Sequence, residues 1–152
     1  MSAEAPGVDG TEVVHLDVPA ISGRLRLIRL AVVGLATEYG ADVDDLEDVR
    51  IATGEICTHL VSRAEEDQRL SVRIQVSQDP AAQHGVLVEV RARVDGLADP
   101  GAMDELSDMV LATTASEHGA TADDAGAESW FRRALRAVAG AAPGEGGPTT
   151  DG

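Results

Sequence analysis

Two runs of strict alternation fix most of what this chain can become. Leu70, Val72, Ile74 and Val76 alternate with Ser71, Arg73, Gln75 and Ser77. Val86, Val88, Val90, Ala92 and Val94 then alternate with polar neighbours. A period of two marks a strand with one face buried and the other wet. Asp79, Pro80 and Gly85 bracket a loop between the runs, so the two strands are predicted to pair as an antiparallel hairpin. A hairpin is marginal in water by itself, and its apolar face requires a second layer.

Upstream residues supply that layer. Leu25, Ile28, Val32, Leu35 and Ala36 follow helical spacing over 23–39, with Ser22 as the expected N-cap and Gly40 as the stop. A second helix is predicted from Asp42 or Asp44 to about Ala64, with Val43, Leu46, Val49, Thr53, Ile56 and Leu60 on one side. Residues 11–18 read as an opening strand closed by Pro19, residues 95–101 as turn chemistry, and 103–117 as a third helix ended near Gly119. Residues 127–137 fit two periods. Trp130, Phe131, Ala134, Leu135 and Val138 recur at helical spacing, whereas Ser129, Phe131, Arg133 and Leu135 could line one face of a strand. Periodicity alone leans to helix. The order predicts an α+β two-layer sandwich, with helices on one face of a mostly antiparallel sheet. At 152 residues it is expected as one domain over 11–138, with a flexible segment 1–10 and a disordered Gly/Pro/Thr tail at 139–152.

Charge narrows the partners. Twenty-seven acidic residues stand against twelve basic ones, all arginine, for a formal charge of −15. Such a surface repels a phosphate backbone, which excludes direct nucleic-acid binding, and it favours encounter with a basic protein. The plainer reading is that the acid only keeps the chain soluble. No apolar run is long enough to span a bilayer, and residues 1–10 carry acids and no base, so neither a membrane segment nor a secretory leader is expected and the location is read as cytoplasmic. Cys57 is the lone cysteine, which leaves packing as its expected role.

Chemistry is sparse. Glu55 and His59 sit four apart on one face of the second helix, a spacing that suits either a general base or an exposed polar pair. HExxH is absent and no third ligand is apparent, so no metal site is expected; GxGxxG and Walker patterns are absent too. His15, His84 and His118 are scattered, and no nucleophile–base arrangement can be defended from spacing. Residue by residue, the chain reads as an acidic α+β domain that binds protein.

The segment DDLEDVRIATGEICTHLVSRA resembles the N-box helix of the GHKL ATPase/kinase superfamily (Bergerat fold), in its anti-sigma-factor branch of the RsbW type. Val49, Ala52, Glu55, Ile56, Thr58 and Leu60 match that helix in register, and Glu55-Ile56-Cys57-Thr58-His59 is similar to the form found in actinobacterial members. The order of elements fits over 11–138 and implies that 127–137 is the closing strand. The resemblance implies a protein that clamps an alternative sigma factor and is released when a STAS-type anti-anti-sigma protein competes for it. Many members bind ATP with Mg²⁺ and phosphorylate a serine of that competitor, and homodimers are common.

By the same resemblance Glu55 keeps the catalytic-base position, and His59 replaces the Mg²⁺-coordinating asparagine. An imidazole nitrogen is a poor exchange for an amide oxygen at Mg²⁺. Asp95, Gly96 and Asp99 fall where the adenine-binding D-x-G-x-G box belongs, without restoring it. The second glycine box is reduced to Gly101, with Asp104 and Glu105 at the start of the next helix, where they compete with phosphate for backbone N–H groups. The expectation is an anti-sigma factor with weak or no kinase activity and no ATP or Mg²⁺ cofactor; the alternative is an active serine kinase of the same family. Arg24, Arg26 and Arg29 on the first helix are candidates for partner contact, set against a plain solvated helix face.

Overall fold

The computed structural model describes residues 2–4, 10–79 and 85–135. Strand β1 (Ser2–Glu4) is followed by β2 (Glu12–Pro19), a 3-10 turn (Ser22–Arg24), α1 (Leu25–Glu38), α2 (Val43–Val61), β3 (Arg69–Asp79), β4 (Gly85–Asp95), α3 (Glu105–Thr114), β5 (Glu117–Asp123) and β6 (Gly126–Leu135). The strands form one six-stranded sheet in the order β1-β2-β3-β4-β6-β5, every neighbouring pair antiparallel. The three helices cover one face, as an α+β two-layer sandwich requires.

The alternating runs do what their period dictates. Val72 lies opposite Ala92, Ile74 opposite Val90 and Val76 opposite Val88, all buried against the helices. From α1 come Ile28, Val32, Leu35 and Ala36, and from α2 come Val49, Ala52, Ile56, Cys57 and Leu60. Asp42 caps α2: its carboxylate accepts the Asp45 amide at 2.7 Å, and Asp44 and Asp45 in the first turn suit the helix dipole. At the start of α1, Ser22 is no cap. The chain enters through the 3-10 turn, and no side chain caps either that turn or α1.

Residues 126–135 form a strand, correcting the helix that periodicity alone favours. Ala127, Ser129, Phe131 and Leu135 are buried beneath the helices, while Glu128, Trp130 and Arg132 take the open face. Strand β5 was not foreseen. It carries no large apolar side chain, only an alternation of small and polar residues at the sheet edge. The Asp123 carboxylate accepts the amides of Ala125 and Gly126 and so closes the β5–β6 turn. At the other end, Ser2–Glu4 pairs with β2, so the expected flexible segment 1–10 contains a strand. The proposed tail 139–152 and His84 lie outside the described residues.

One buried polar knot ties the layers together. Arg133 on β6 points under the helices with its side chain 11% exposed, and its guanidinium donates to Asp45 at 2.9 Å, where the carboxylate is wholly buried. The same group pairs with Asp48 at 3.0 Å and donates to the carbonyl of Thr114, the last residue of α3, at 2.9 Å. A single side chain thus joins the start of α2, the end of α3 and the sheet.

The open face of the sheet is polar. Glu89 is met there by Arg91 and Arg132, and Trp130 lies between those two guanidinium groups, 5.1 and 4.9 Å from its ring centre. The indole rests on Gly119, where a Cβ would come within 2.9 Å of it.

Candidate functional site

The site is built around the C-terminal half of α2. The Asp42 cap and the Arg133 knot fix where that helix starts, and 3.6-residue periodicity then places Glu55 and His59 one turn apart on the same side. Both are half-buried. Burial, chiefly, holds the His59 imidazole below the usual histidine range; the nearby Arg63 cation adds to that and Asp104 opposes it. The surroundings of His59 thus favour the neutral form of its imidazole.

A cavity of about 240 Å³ opens beside it, walled by His59, Asp99, Gly101 and Met103 and by Ala120 and Ala122 of β5. The loop after β4 closes down on this cavity. Asp99 accepts the Gly101 amide at 2.8 Å, and Gly101 takes a left-handed backbone (φ +79°). A Cβ at Gly101 would sit 3.2 Å from the Arg63 guanidinium, so Arg63, one turn beyond His59, packs against that glycine's backbone. The start of α3 is occupied by its own acid: Asp104 accepts the Ser107 amide at 2.7 Å, with Glu105 and Asp108 following in the first turn.

Of the residues singled out in the sequence, His59 and Asp99 share the cavity and Glu55 lies on the same helix one turn earlier. Asp95 and Gly96 are not among its walls. The Asp95 carboxylate receives Arg93 at 2.7 Å on the open side of the sheet, and Gly96 (φ +86°) makes the turn out of β4, its amide bonded to the Ala125 carbonyl. Sequence reasoning missed Arg63, whose role depends on the fold of the loop, and Ser129. The Ser129 hydroxyl is wholly buried on the helix-covered face and is the one buried side-chain oxygen without a partner among the described residues. It sits on β6 directly across from Ala120 of the cavity wall. Its position inside the alternation of β6 is the only sequence signal for it.

This donor set fits a magnesium nucleotide poorly. His59 offers an imidazole nitrogen where Mg²⁺ prefers oxygen, the amide end of α3 is engaged by Asp104, and Arg63 packs against Gly101. Among the described residues, no group of three His, Cys, Asp or Glu side chains is placed to hold a metal ion.

A second concavity, of about 380 Å³, lies on the opposite side of α2. It is lined by Ile21 and Leu25 from the start of α1 and by Thr58, Val61, Glu65 and Glu66 from the end of α2 and the loop beyond. Ile21 in its wall is 40% exposed, and Leu27 and Leu30 stand exposed elsewhere on α1 at 50% and 58%. Arg24 and Arg26 are exposed nearby, whereas Arg29 is half-buried against α2 at Gly54. No helix among the described residues is long and apolar enough to cross a membrane.

Comparison with known proteins agrees with this architecture. Residues 18–129 match the family model described as the histidine kinase-like ATPase domain. The chain is similar to "Serine-protein kinase RsbW" of Halalkalibacterium halodurans, 39% identical over 56 residues covering 37% of this chain and 35% of that protein. It is also similar to the protein of the same name from Bacillus velezensis, 35% identical over 69 residues and 43% of each chain. The matches thus span less than half the length of these curated relatives. With the family model covering most of the sandwich, from β2 into β6, the chain belongs to the histidine kinase-like ATPase domain family.

Proposed function

We propose that this protein is an anti-sigma factor that works by occlusion. It holds an alternative sigma factor on its helical face, away from RNA polymerase, and gives it up when a STAS-type anti-anti-sigma protein competes for the same surface. The observation that carries the reading is the concavity between α1 and α2. Its lining is largely apolar, Ile21 stands exposed in its wall, and Glu65 and Glu66 form its rim. A basic amphipathic segment is the complement of such a surface, and a formal charge of −15 would steer it there. Arg24 and Arg26, exposed on either side of Leu25 in the chain, can donate charge-assisted hydrogen bonds to a partner's acidic groups. The similarity to proteins named RsbW supports the class of partner. A cytoplasmic location belongs to the same reading.

Within it, kinase activity is weak or absent and no ATP or Mg²⁺ cofactor is needed, because the groups at the α2 cavity fit a magnesium nucleotide poorly. The test pairs two measurements. Purified sigma factors from the source organism are titrated against the chain, with an Ile21→Ser/Glu66→Lys variant alongside. One sigma factor is expected to bind with an affinity that falls steeply with salt and is lost in the variant. Failure of every sigma factor to bind refutes the reading. Transfer of labelled phosphate to an anti-anti-sigma protein is then assayed with the wild type and with Glu55→Ala.

An active serine kinase is the second reading. Two features support it: Glu55, which the resemblance puts in the base position, lies one turn before His59 of the cavity, and the buried Ser129 hydroxyl, across the strand pair from Ala120 of the cavity wall, has no partner among the described residues. Phosphate transfer abolished by Glu55→Ala would establish it, and absence of transfer would exclude it.

A further inference from the structure

The open face of the sheet, away from the helices, carries an arrangement that the docking function does not use. Strand register places Arg73 directly opposite Arg91, and Ser71 directly opposite Arg93. Four side chains on two adjacent strands therefore form a square of three guanidinium groups and one hydroxyl. On the far side, Arg73 faces His15 of β2, which brings no negative charge. Like charges directly across strands destabilise a sheet. Arg91 is compensated by Glu89 and Glu128, and Arg93 by Asp95. Arg73 is not: Glu89, already shared with Arg91 and Arg132, comes only to 4.0 Å. A chain with twelve basic residues among twenty-seven acidic ones has thus set one under-compensated arginine beside two others. The square lines a concavity of about 270 Å³, whose wall also holds Asp17, paired with Arg69 at 2.9 Å, and Glu128, paired with Arg91 at 2.7 Å.

We propose that this square binds a phosphate group, free or carried as the monoester of a small molecule. Planar guanidinium forks match phosphate oxygens two at a time, and the Ser71 hydroxyl adds a donor at the fourth corner. The size of the concavity suits one compact head group, and the net charge of the chain selects against extended polyanions such as nucleic acid. Bound phosphate supplies the negative charge that Arg73 lacks, so binding stabilises the sheet face.

Trp130 adjoins the square, directly across from Arg91, and is the one tryptophan of the chain, which gives a local signal. Inorganic phosphate and glycerol phosphate are titrated at constant ionic strength, with chloride as the control, and followed by Trp130 fluorescence and by thermal unfolding. Saturable quenching and a raised Tm are expected with phosphate and not with chloride. A response to inorganic phosphate alone identifies the free ion as ligand, and a stronger response to glycerol phosphate identifies the monoester. Arg73→Gln should weaken binding about tenfold or more and remove the phosphate-dependent rise in Tm. Without ligand the same variant should melt no lower than the wild type, since a like-charge neighbour has gone. Arg50→Gln and His59→Ala, both on the helical side, should bind as the wild type does. An equal response to chloride, unchanged binding by Arg73→Gln, or loss through His59→Ala overturns the proposal.

Discussion

Replacing Arg133 with methionine removes the guanidinium while keeping a long side chain in place. It removes the cation that pairs with the buried Asp45 and with Asp48, and it strips the Thr114 carbonyl of its donor. Two opposed terms set the size of the effect. Replacing a whole buried ion pair by apolar residues is often close to neutral, because desolvation offsets attraction. Removing one partner is different: breaking a buried pair costs about 3–5 kcal/mol, since the other charge stays desolvated. For a domain of this size that corresponds to a Tm lower by about 10 °C. Asp45→Asn should cost less, about 1–3 kcal/mol, because Arg133 keeps Asp48 at 3.0 Å and the Thr114 carbonyl at 2.9 Å. The assay is urea unfolding of the two single variants and the double variant, read as a double-mutant cycle, with amide exchange over α3 as a local readout. Exchange in the last turn of α3 should quicken in Arg133→Met and change little in Asp45→Asn. A loss below about 1 kcal/mol in Arg133→Met would refute the idea that this knot holds the layers together.

Other consequences are as open to measurement. Gly126→Ala would place a Cβ 2.6 Å from the Val94 carbonyl oxygen and 2.9 Å from the Asp95 Cα, so the β4–β6 pairing must open at that end. A loss of about 1–3 kcal/mol in denaturant unfolding is expected, and a neutral effect would contradict the register. Burial pushes the Cys57 thiol up to about 12, with Arg29 opposing only in part, so thiol reagents at pH 8 should leave the native protein unlabelled and react on unfolding. Burial and the hydrogen bond that Tyr39 donates to Glu12 push its phenol from 10.0 up to about 12. A phenol that titrates higher in the folded state contributes stability that is complete below its unfolded value and is lost as pH rises through the folded one. Stability should therefore fall between about pH 10 and 12 in the wild type, and Tyr39→Phe should flatten that part of the profile.

What could be read from the sequence tracks the range of each signal. The hairpin of β3 and β4 was legible because nine alternating apolar positions leave one register with a dry face. Helix α2 was legible from its apolar stripe and its Asp42 cap, and with it the Glu55–His59 pair. Strand β6 was legible only through the family resemblance, because Arg133 interrupts its apolar face and a helical period fits the same residues. Its charge is tolerated there through Asp45, 88 residues earlier, with Asp48 and the Thr114 carbonyl, partners no local window contains. Strand β5 escaped for want of bulk: Gly119, Ala120 and Ala122 are small, and Gly119 is so because Trp130 lies on it. The cavity beside His59 depends on how the 96–104 loop folds back, which spacing along α2 does not encode.

The placing of β6 between β4 and β5 has a consequence for synthesis. A nascent chain that has left the ribosome only through α3 shows the bare hydrogen-bonding edge of β4, and its Asp45 still waits for the guanidinium that neutralises it. The sandwich is therefore finished from its C-terminal hairpin, in one late step, and truncation before residue 133 would leave an open, adhesive edge and no folded domain.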